Sequence, residues 1–242
     1  MRSAVFALQH KCGNTYIANT IKNTLRKMDL MHFEVIKPKQ IKERSLKQIC
    51  GNTIYRLCNL TYEQVKIFAR GLPIVVFIRD PRTLITSCTD YHLRGSEKWA
   101  LKPQEKFNNL SYTELLQQGR TDEERLIISM ENLAGDILKR IETFVNKEDV
   151  LLISLESLAW DSSLSTFKKI ADYCHFEEPF RRQFIKELEN NSLRKIKENT
   201  GSLTTHSTSG VSKSSIKRLT GRAEEVYTEH FGDLHTKLGY DE

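Results

Sequence analysis

No stretch of the chain stays apolar for long. The longest runs, such as Leu72–Ile78, span a handful of residues, whereas a membrane helix needs about 20. The opening Ser-Ala-Val-Phe-Ala-Leu gives way at once to polar residues, too short for the apolar centre of a secretion signal. Cysteine is sparse. Cys12, Cys50, Cys58, Cys88 and Cys174 are odd in number and scattered, with no C-x-x-C pair, so the pattern suggests neither a zinc site nor a disulfide framework. No internal repeat is visible. The expectation from these absences is a chain without a membrane span, in reducing, cytoplasmic surroundings, and without a metal.

What is present is ordinary for a folded protein. The 242 residues carry 37 Lys+Arg against 31 Asp+Glu, a net charge of +6, with 28% charged and 39% apolar residues. That composition is too apolar for wholesale disorder. The length suits one large domain or two small ones, and residues 1–242 read as a single domain. The positive balance fits polyanions in general: nucleic acid, anionic lipid or a small phosphorylated ligand.

Short apolar runs alternate with helical periodicities. Ser3–Gln9 reads as a buried strand, and Ile17, Ile21 and Leu25 then mark a helix to about Met28. His32–Ile36 and Thr53–Cys58 are further strand candidates. Thr61 with Gln64 forms a capping box for a helix over Tyr62–Arg70. Leu72–Ile78 is the clearest strand, and Asp80-Pro81 supplies the N-cap and first-turn proline of a helix to about Leu93. A short capped helix follows Ser111. One long helix is expected over Asp122–Val145, then a strand at Val150–Leu155 and helices at Ser163–Cys174, Phe180–Ile196 and Ala223–Leu238. Asn199–Ser215 holds ten Ser/Thr in seventeen residues and reads as a loop. Alternating strands and helices imply an α/β fold: a three-layer sandwich with a central parallel sheet flanked by helices. Ligands of such sheets bind beyond the carboxyl ends of the strands.

Two strand-to-helix junctions there can hold anions. At His10-Lys11-Cys12-Gly13-Asn14-Thr15-Tyr16, a glycine turn runs straight into a helix, whose first N–H groups suit a phosphate. Lys11 adds a full charge, but G-x-x-x-x-G-K-[ST] is absent because the lysine precedes the glycine. At Arg79-Asp80-Pro81-Arg82, with Ser87 eight residues after the arginine, an Arg fork and a hydroxyl can hold a second phosphate. Two such junctions suggest one ligand with two separated anionic groups.

These segments, in this order, resemble the sulfotransferases that use 3′-phosphoadenosine 5′-phosphosulfate (PAPS). Lys11–Tyr16 is similar to that family's K-[ST]-G-[ST]-[ST]-[WY] loop. Val75–Arg82 through Ser87 is similar to its R-[DN]-P-x-x-x-x-x-S motif. Val150–Leu158 resembles its strand followed by Y-E-D-L, and Leu238-Gly239-Tyr240 its closing segment. The resemblance implies a P-loop NTPase-like fold with PAPS as donor and adenosine 3′,5′-bisphosphate (PAP) as product. Lys11 would stabilise the leaving group at the 5′-phosphosulfate. Cys12, Gly13, Asn14 and Thr15 would bind around the 5′-phosphate, and Tyr16 would lie against adenine. Arg79 and Ser87 would take the 3′-phosphate, helped by Ser209 and Gly210 in the Ser/Thr-rich loop.

Some positions depart from the pattern. Asn14 replaces a hydroxyl residue, Leu155 replaces the tyrosine of Y-E-D-L, and Asn59 stands where many relatives have a histidine base. Asn59 cannot act as a base, so His92, with Asp90 near it in sequence, and His10 become the candidates by position. The acceptor is expected to be a small molecule or a glycan, without nucleic acid; neither it nor the oligomeric state is written in the sequence. The alternatives are a P-loop-type kinase using ATP and a non-enzymatic basic protein that binds polyanions. The missing magnesium-binding Ser/Thr after the lysine opposes the first. The spread of Lys/Arg among acids, rather than in blocks, opposes the second.

Overall fold

The computed structural model describes residues 3–29, 33–36, 53–200 and 213–240. In chain order the elements are β1 (Ala4–Leu8), α1 (Asn14–Lys27), β2 (Phe33–Ile36), β3 (Ile54–Cys58), α2 (Tyr62–Ala69), β4 (Ile74–Ile78), α3 (Pro81–Leu93), α4 (Tyr112–Gln118), α5 (Asp122–Glu131) and α6 (Leu133–Glu142). There follow β5 (Val150–Ser154), α7 (Leu155–Trp160), α8 (Ser165–Tyr173), α9 (Phe180–Asn190), α10 (Leu193–Thr200), α11 (Gly221–Phe231) and α12 (Leu234–Lys237), with 3-10 turns at Glu105–Phe107 and Lys213–Arg218. The chain divides into two compact units, residues 1–79 with 143–204 and residues 80–142 with 205–242.

The first unit holds the sheet. Among the described residues five strands lie in the order β2-β3-β1-β4-β5, and each of their pairings is parallel. Register sorts the side chains by face: Phe6 is level with Val75, and Leu8 with Phe77, which is level with Ile153. That face packs on Ile17, Ile21 and Leu25 of α1, Phe167 and Ile170 of α8, and Phe180, Phe184 and Leu188 of α9. Phe6 meets Phe77 at 5.5 Å and Phe184 at 6.0 Å between ring centroids, both edge-on. Each buried Phe contributes about 1.5–3 kcal/mol from burial, and each such ring pair roughly 0.5–1.5 kcal/mol more; burial therefore outweighs ring geometry in docking α9. On the opposite face Tyr55, level with Val5, packs edge-on against Phe68 of α2. Coverage on both faces explains why β1 and β4 are buried at every residue and why they read as unbroken apolar runs.

The order places β1 in the middle, with β3 on one side and β4 on the other. Chain order runs outward from β1 to β2 on one flank and from β4 to β5 on the other. The crevice beyond β1 and β4 is therefore the topological switch point, where open α/β sheets bind ligands.

The second unit has its own small core, Ala100, Phe107, Tyr112 and Leu116, with Leu93, Leu110, Ile128 and Leu133 against it. The expected N-cap is present: the Asp80 carboxylate accepts from the Arg82 N–H at 2.9 Å, with Pro81 in the first turn of α3. The capping box at Ser111 and Glu114 is also formed.

Three expected helices are each broken in two. The stripe over Asp122–Val145 is interrupted at Asn132, whose side chain donates to the Ile128 carbonyl at 2.8 Å and so competes with the helical ladder. Gly135 lets the break close up, because a Cβ there would sit 1.8 Å from the Met130 carbonyl oxygen. Phe180–Ile196 is interrupted at Asn191 and Ser192. Asn191 donates to the Glu187 carbonyl at 2.8 Å, while the Ser192 hydroxyl accepts from Lys195 N at 3.2 Å and caps α10. Gly232, at φ 52°, separates α11 from α12. Of the Ser/Thr-rich loop, residues 201–212, with Ser209 and Gly210, lie outside the described residues. No described helix is long and apolar enough to cross a membrane.

Candidate functional site

The loop after β1 is built from unusual backbone. Lys11 has φ 64° and Gly13 φ 85°, both in the left-handed region. Gly adopts it freely, whereas a lysine there costs roughly 1–2 kcal/mol. Gly13 is the N-cap of α1, and no side chain bonds to that cap. The first turn of α1 carries no acidic residue, and the last turn carries Arg26 and Lys27, so the charges agree with a positive N-terminal pole.

Five hydrogen bonds hold the loop in shape. Gln9, fully buried, donates through Nε2 to the Leu60 carbonyl at 2.6 Å. Its own carbonyl accepts from the Cys12 N–H at 3.1 Å and from Asn14 Nδ2 at 3.3 Å. The His10 N–H donates to Asn59 Oδ1 at 2.8 Å. Arg79, only 2% exposed, donates from Nη1 to the Lys11 carbonyl at 3.3 Å. Arg79 directly follows β4, so the loops after β1 and β4 meet at the switch point.

The expected site residues of this unit take distinct places. Cys12 is fully buried, and Thr15 is exposed on the first turn of α1. The Asn14 amide is turned back toward Gln9, and Asn14 Oδ1 and Gln9 Oε1 are buried without a hydrogen-bond partner among the described residues. The Tyr16 hydroxyl donates to the Leu188 carbonyl of α9 at 2.6 Å. Burial, and then the Asp161 charge, push that phenol above its ordinary pKa, so it acts as a neutral donor. Leu155 lies over Gly13: a Cβ added to the glycine would meet Leu155 Cδ1 at 2.8 Å. Sequence reading missed Gln9, and it treated Asn59 only as a missing base. The side chain of each bonds to a residue far along the chain, 51 positions away for Gln9 and 49 for Asn59.

In the second unit, Ser87 is buried on α3. His92 is fully buried among the rings of Tyr91, Trp99 and Tyr112. Its Nδ1 lies 2.7 Å from the Cys88 carbonyl, which fixes the proton on Nδ1 and the basic lone pair on Nε2. The Glu97 carboxylate stands 3.8 Å from that Nε2. Asp90 is bound at both oxygens by Arg218, at 2.8 and 2.9 Å, and Arg218 also holds Asp122.

Arg218 thus ties the turn at Lys213–Arg218 to α3 and α5. Replacing it with Met should lower the stability of the protein by roughly 1 kcal/mol at neutral pH, mostly through Asp90, because water screens the half-exposed Asp122. The Arg218 hydrogen bond is the foremost of the causes that lower the Asp122 pKa. That contribution is therefore present above the ordinary carboxylate range and is lost as pH falls through the depressed value. The gap in urea midpoint between the two proteins should narrow in acid by the Asp122 share alone; a gap that widens there would contradict this assignment.

No family model matches the chain, and no curated protein matches it in sequence. Among solved structures it is similar to mouse sulfotransferase SULT7A1 complexed with PAP. The two are 17% identical with a TM-score of 0.56, over 98% of this chain and 88% of that one. At that identity the likeness establishes the fold: a P-loop-like α/β architecture shared with a sulfotransferase.

Proposed function

We propose that this chain is a PAPS-dependent sulfotransferase, moving a sulfuryl group to an acceptor hydroxyl or amine and releasing PAP. The observation that carries the reading is the bond from Arg79 to the Lys11 carbonyl. It brings a lysine loop and an arginine loop together at the switch point, as a ligand with two anionic groups requires. The donor set fits such a ligand. A helix N-terminus with no side-chain cap and no acidic residue in its first turn, a loop with two left-handed residues, and an Arg fork are all anion-seeking. The fold shared with a PAP-bound sulfotransferase supports the same choice over a kinase.

In this reading Lys11, Gly13, Asn14 and Thr15 hold the 5′ end, the last three through helix N–H groups or the Thr15 hydroxyl. Tyr16 flanks the adenine, its ring fixed by the bond to Leu188. Arg79 takes the 3′-phosphate, with Ser87, Ser209 and Gly210 as further expectations from the motif. During transfer the bond between sulfur and the bridging oxygen breaks while the acceptor oxygen or nitrogen bonds to sulfur. Negative charge grows on the bridging oxygen, and the Lys11 ammonium stabilises it there. The acceptor proton goes to a histidine. We assign His92 Nε2 first, since Nδ1 is held by Cys88 and the Glu97 carboxylate can stabilise the imidazolium; His10 is second.

A thermal-shift series tests the reading. PAP at about 100 times its Kd should stabilise the protein by roughly 2.7 kcal/mol, or roughly 5–10 °C for a chain of this size. ATP with Mg²⁺ should give much less, because it lacks a 3′-phosphate for Arg79. An equal or larger shift with ATP–Mg²⁺ would instead favour the kinase.

A further inference from the structure

We infer that Asn59 is a positioning residue for Lys11, acting by clamping the backbone immediately before it. The inference rests on the sulfotransferase reading and extends it to a residue outside both anion motifs. Asn59 follows β3, the neighbour of β1. Its N–H donates to the Leu8 carbonyl at 3.0 Å, extending the strand pairing one step past Cys58. At φ 57° it then turns left-handed, a conformation asparagine tolerates better than most residues. That turn brings Oδ1 onto the His10 N–H at 2.8 Å. The reverse tie runs from Gln9 Nε2 to the Leu60 carbonyl at 2.6 Å. The two loops are therefore stitched in both directions, with a side chain from each reaching backbone of the other.

The consequence falls on Lys11. Its left-handed backbone stores strain that surrounding contacts must hold. Asn59 holds the N–H of His10, the residue before Lys11, and Arg79 holds the carbonyl of Lys11 itself. The ammonium must meet charge that appears only as the sulfur–oxygen bond breaks, so its placement governs rate more than ground-state binding. The Asn59 bond is exposed, so it contributes little to global stability, and its loss is not expected to unfold the chain.

Two substitutions separate the acceptor atom from the backbone. Asn59→Gly keeps the left-handed turn at ease but removes Oδ1, whereas Asn59→Asp keeps an oxygen for the His10 N–H. The probe is PAPS itself, with water as acceptor: single-turnover release of labelled sulfate, beside calorimetric PAP affinity and amide exchange over residues 10–13 in the free protein. Asn59→Gly should slow sulfate release roughly 10- to 100-fold, leave PAP affinity nearly unchanged, and speed exchange of the His10 amide. Asn59→Asp should recover the rate and the protection, although its added charge weakens nucleotide binding. The clamp is overturned if Asn59→Gly releases sulfate like wild type, if rate and affinity fall together, or if the Asp variant is no better than the Gly variant. A wild-type protein that binds no PAP, or releases sulfate no faster than buffer, overturns the sulfotransferase reading and this inference with it. Wild-type binding and release beside an indifferent Asn59→Gly overturns the clamp alone.

Discussion

Arg79→Ala should collapse the preference for PAP over AMP. Wild type is expected to bind PAP much more tightly, because only PAP offers a 3′-phosphate to a guanidinium that is almost fully buried. Truncating one partner of a buried, hydrogen-bonded charge pair costs about 2–5 kcal/mol, or roughly 30-fold to a few thousand-fold in affinity. AMP should bind the variant nearly as before, since Lys11 and the α1 N-terminus remain. Arg79→Lys keeps the charge but not the planar fork, and should recover only part of the loss. Titration calorimetry with both nucleotides decides the matter. Retained discrimination in Arg79→Ala would place the 3′-phosphate elsewhere. An equal loss for both ligands would make Arg79 a prop for the Lys11 loop, through the carbonyl bond at 3.3 Å, and not a phosphate ligand.

Local signals in the sequence carried the elements that position this site, and they were local for physical reasons. Leu72–Ile78 contains a strand because a run covered on both faces must be apolar throughout, and Asp80-Pro81 starts a helix because cap and fixed φ act within one turn. The capping boxes at Thr61 with Gln64 and Ser111 with Glu114 are likewise three-residue devices, and both are formed. The helix breaks were not legible. Leu126 and Met130 on one side of Asn132 and Ala134, Ile137 and Ile141 on the other are all buried, so the apolar stripe runs straight through the interruption. What breaks it is one amide reaching Ile128 and one glycine against the Met130 carbonyl, features that periodicity averages away.

The site divides in the same way. Lys11, Gly13 and Arg79 were marked by motif and by their places after strands. The bonds that bring them together span 68 residues for Arg79 with Lys11 and 49 for Asn59 with His10. Only the strand order, which puts β1 between β3 and β4, makes those pairs neighbours. Asn59 read as a missing base because the motif directs attention to proton transfer, while its work is done by a carbonyl oxygen on a neighbouring loop.

Gly13→Ala carries the other large expected effect, and its two causes can be told apart. The first is backbone: φ 85° costs an L-residue roughly 1–2 kcal/mol. The second is contact, because the new methyl would stand 2.8 Å from Leu155 Cδ1. That atom is the tip of a flexible, half-buried side chain and can swing away at little cost, so the backbone term should dominate. Thermal stability should therefore fall by roughly 1–2 kcal/mol. PAP affinity should fall further, roughly 10- to 100-fold, because relaxing φ re-aims the helix N–H groups proposed for the 5′ end. Combining Gly13→Ala with Leu155→Ala decides between the causes. If backbone governs, the double variant binds PAP no better than Gly13→Ala alone. Recovery to near wild-type affinity would show instead that the leucine sets the shape of the loop by contact.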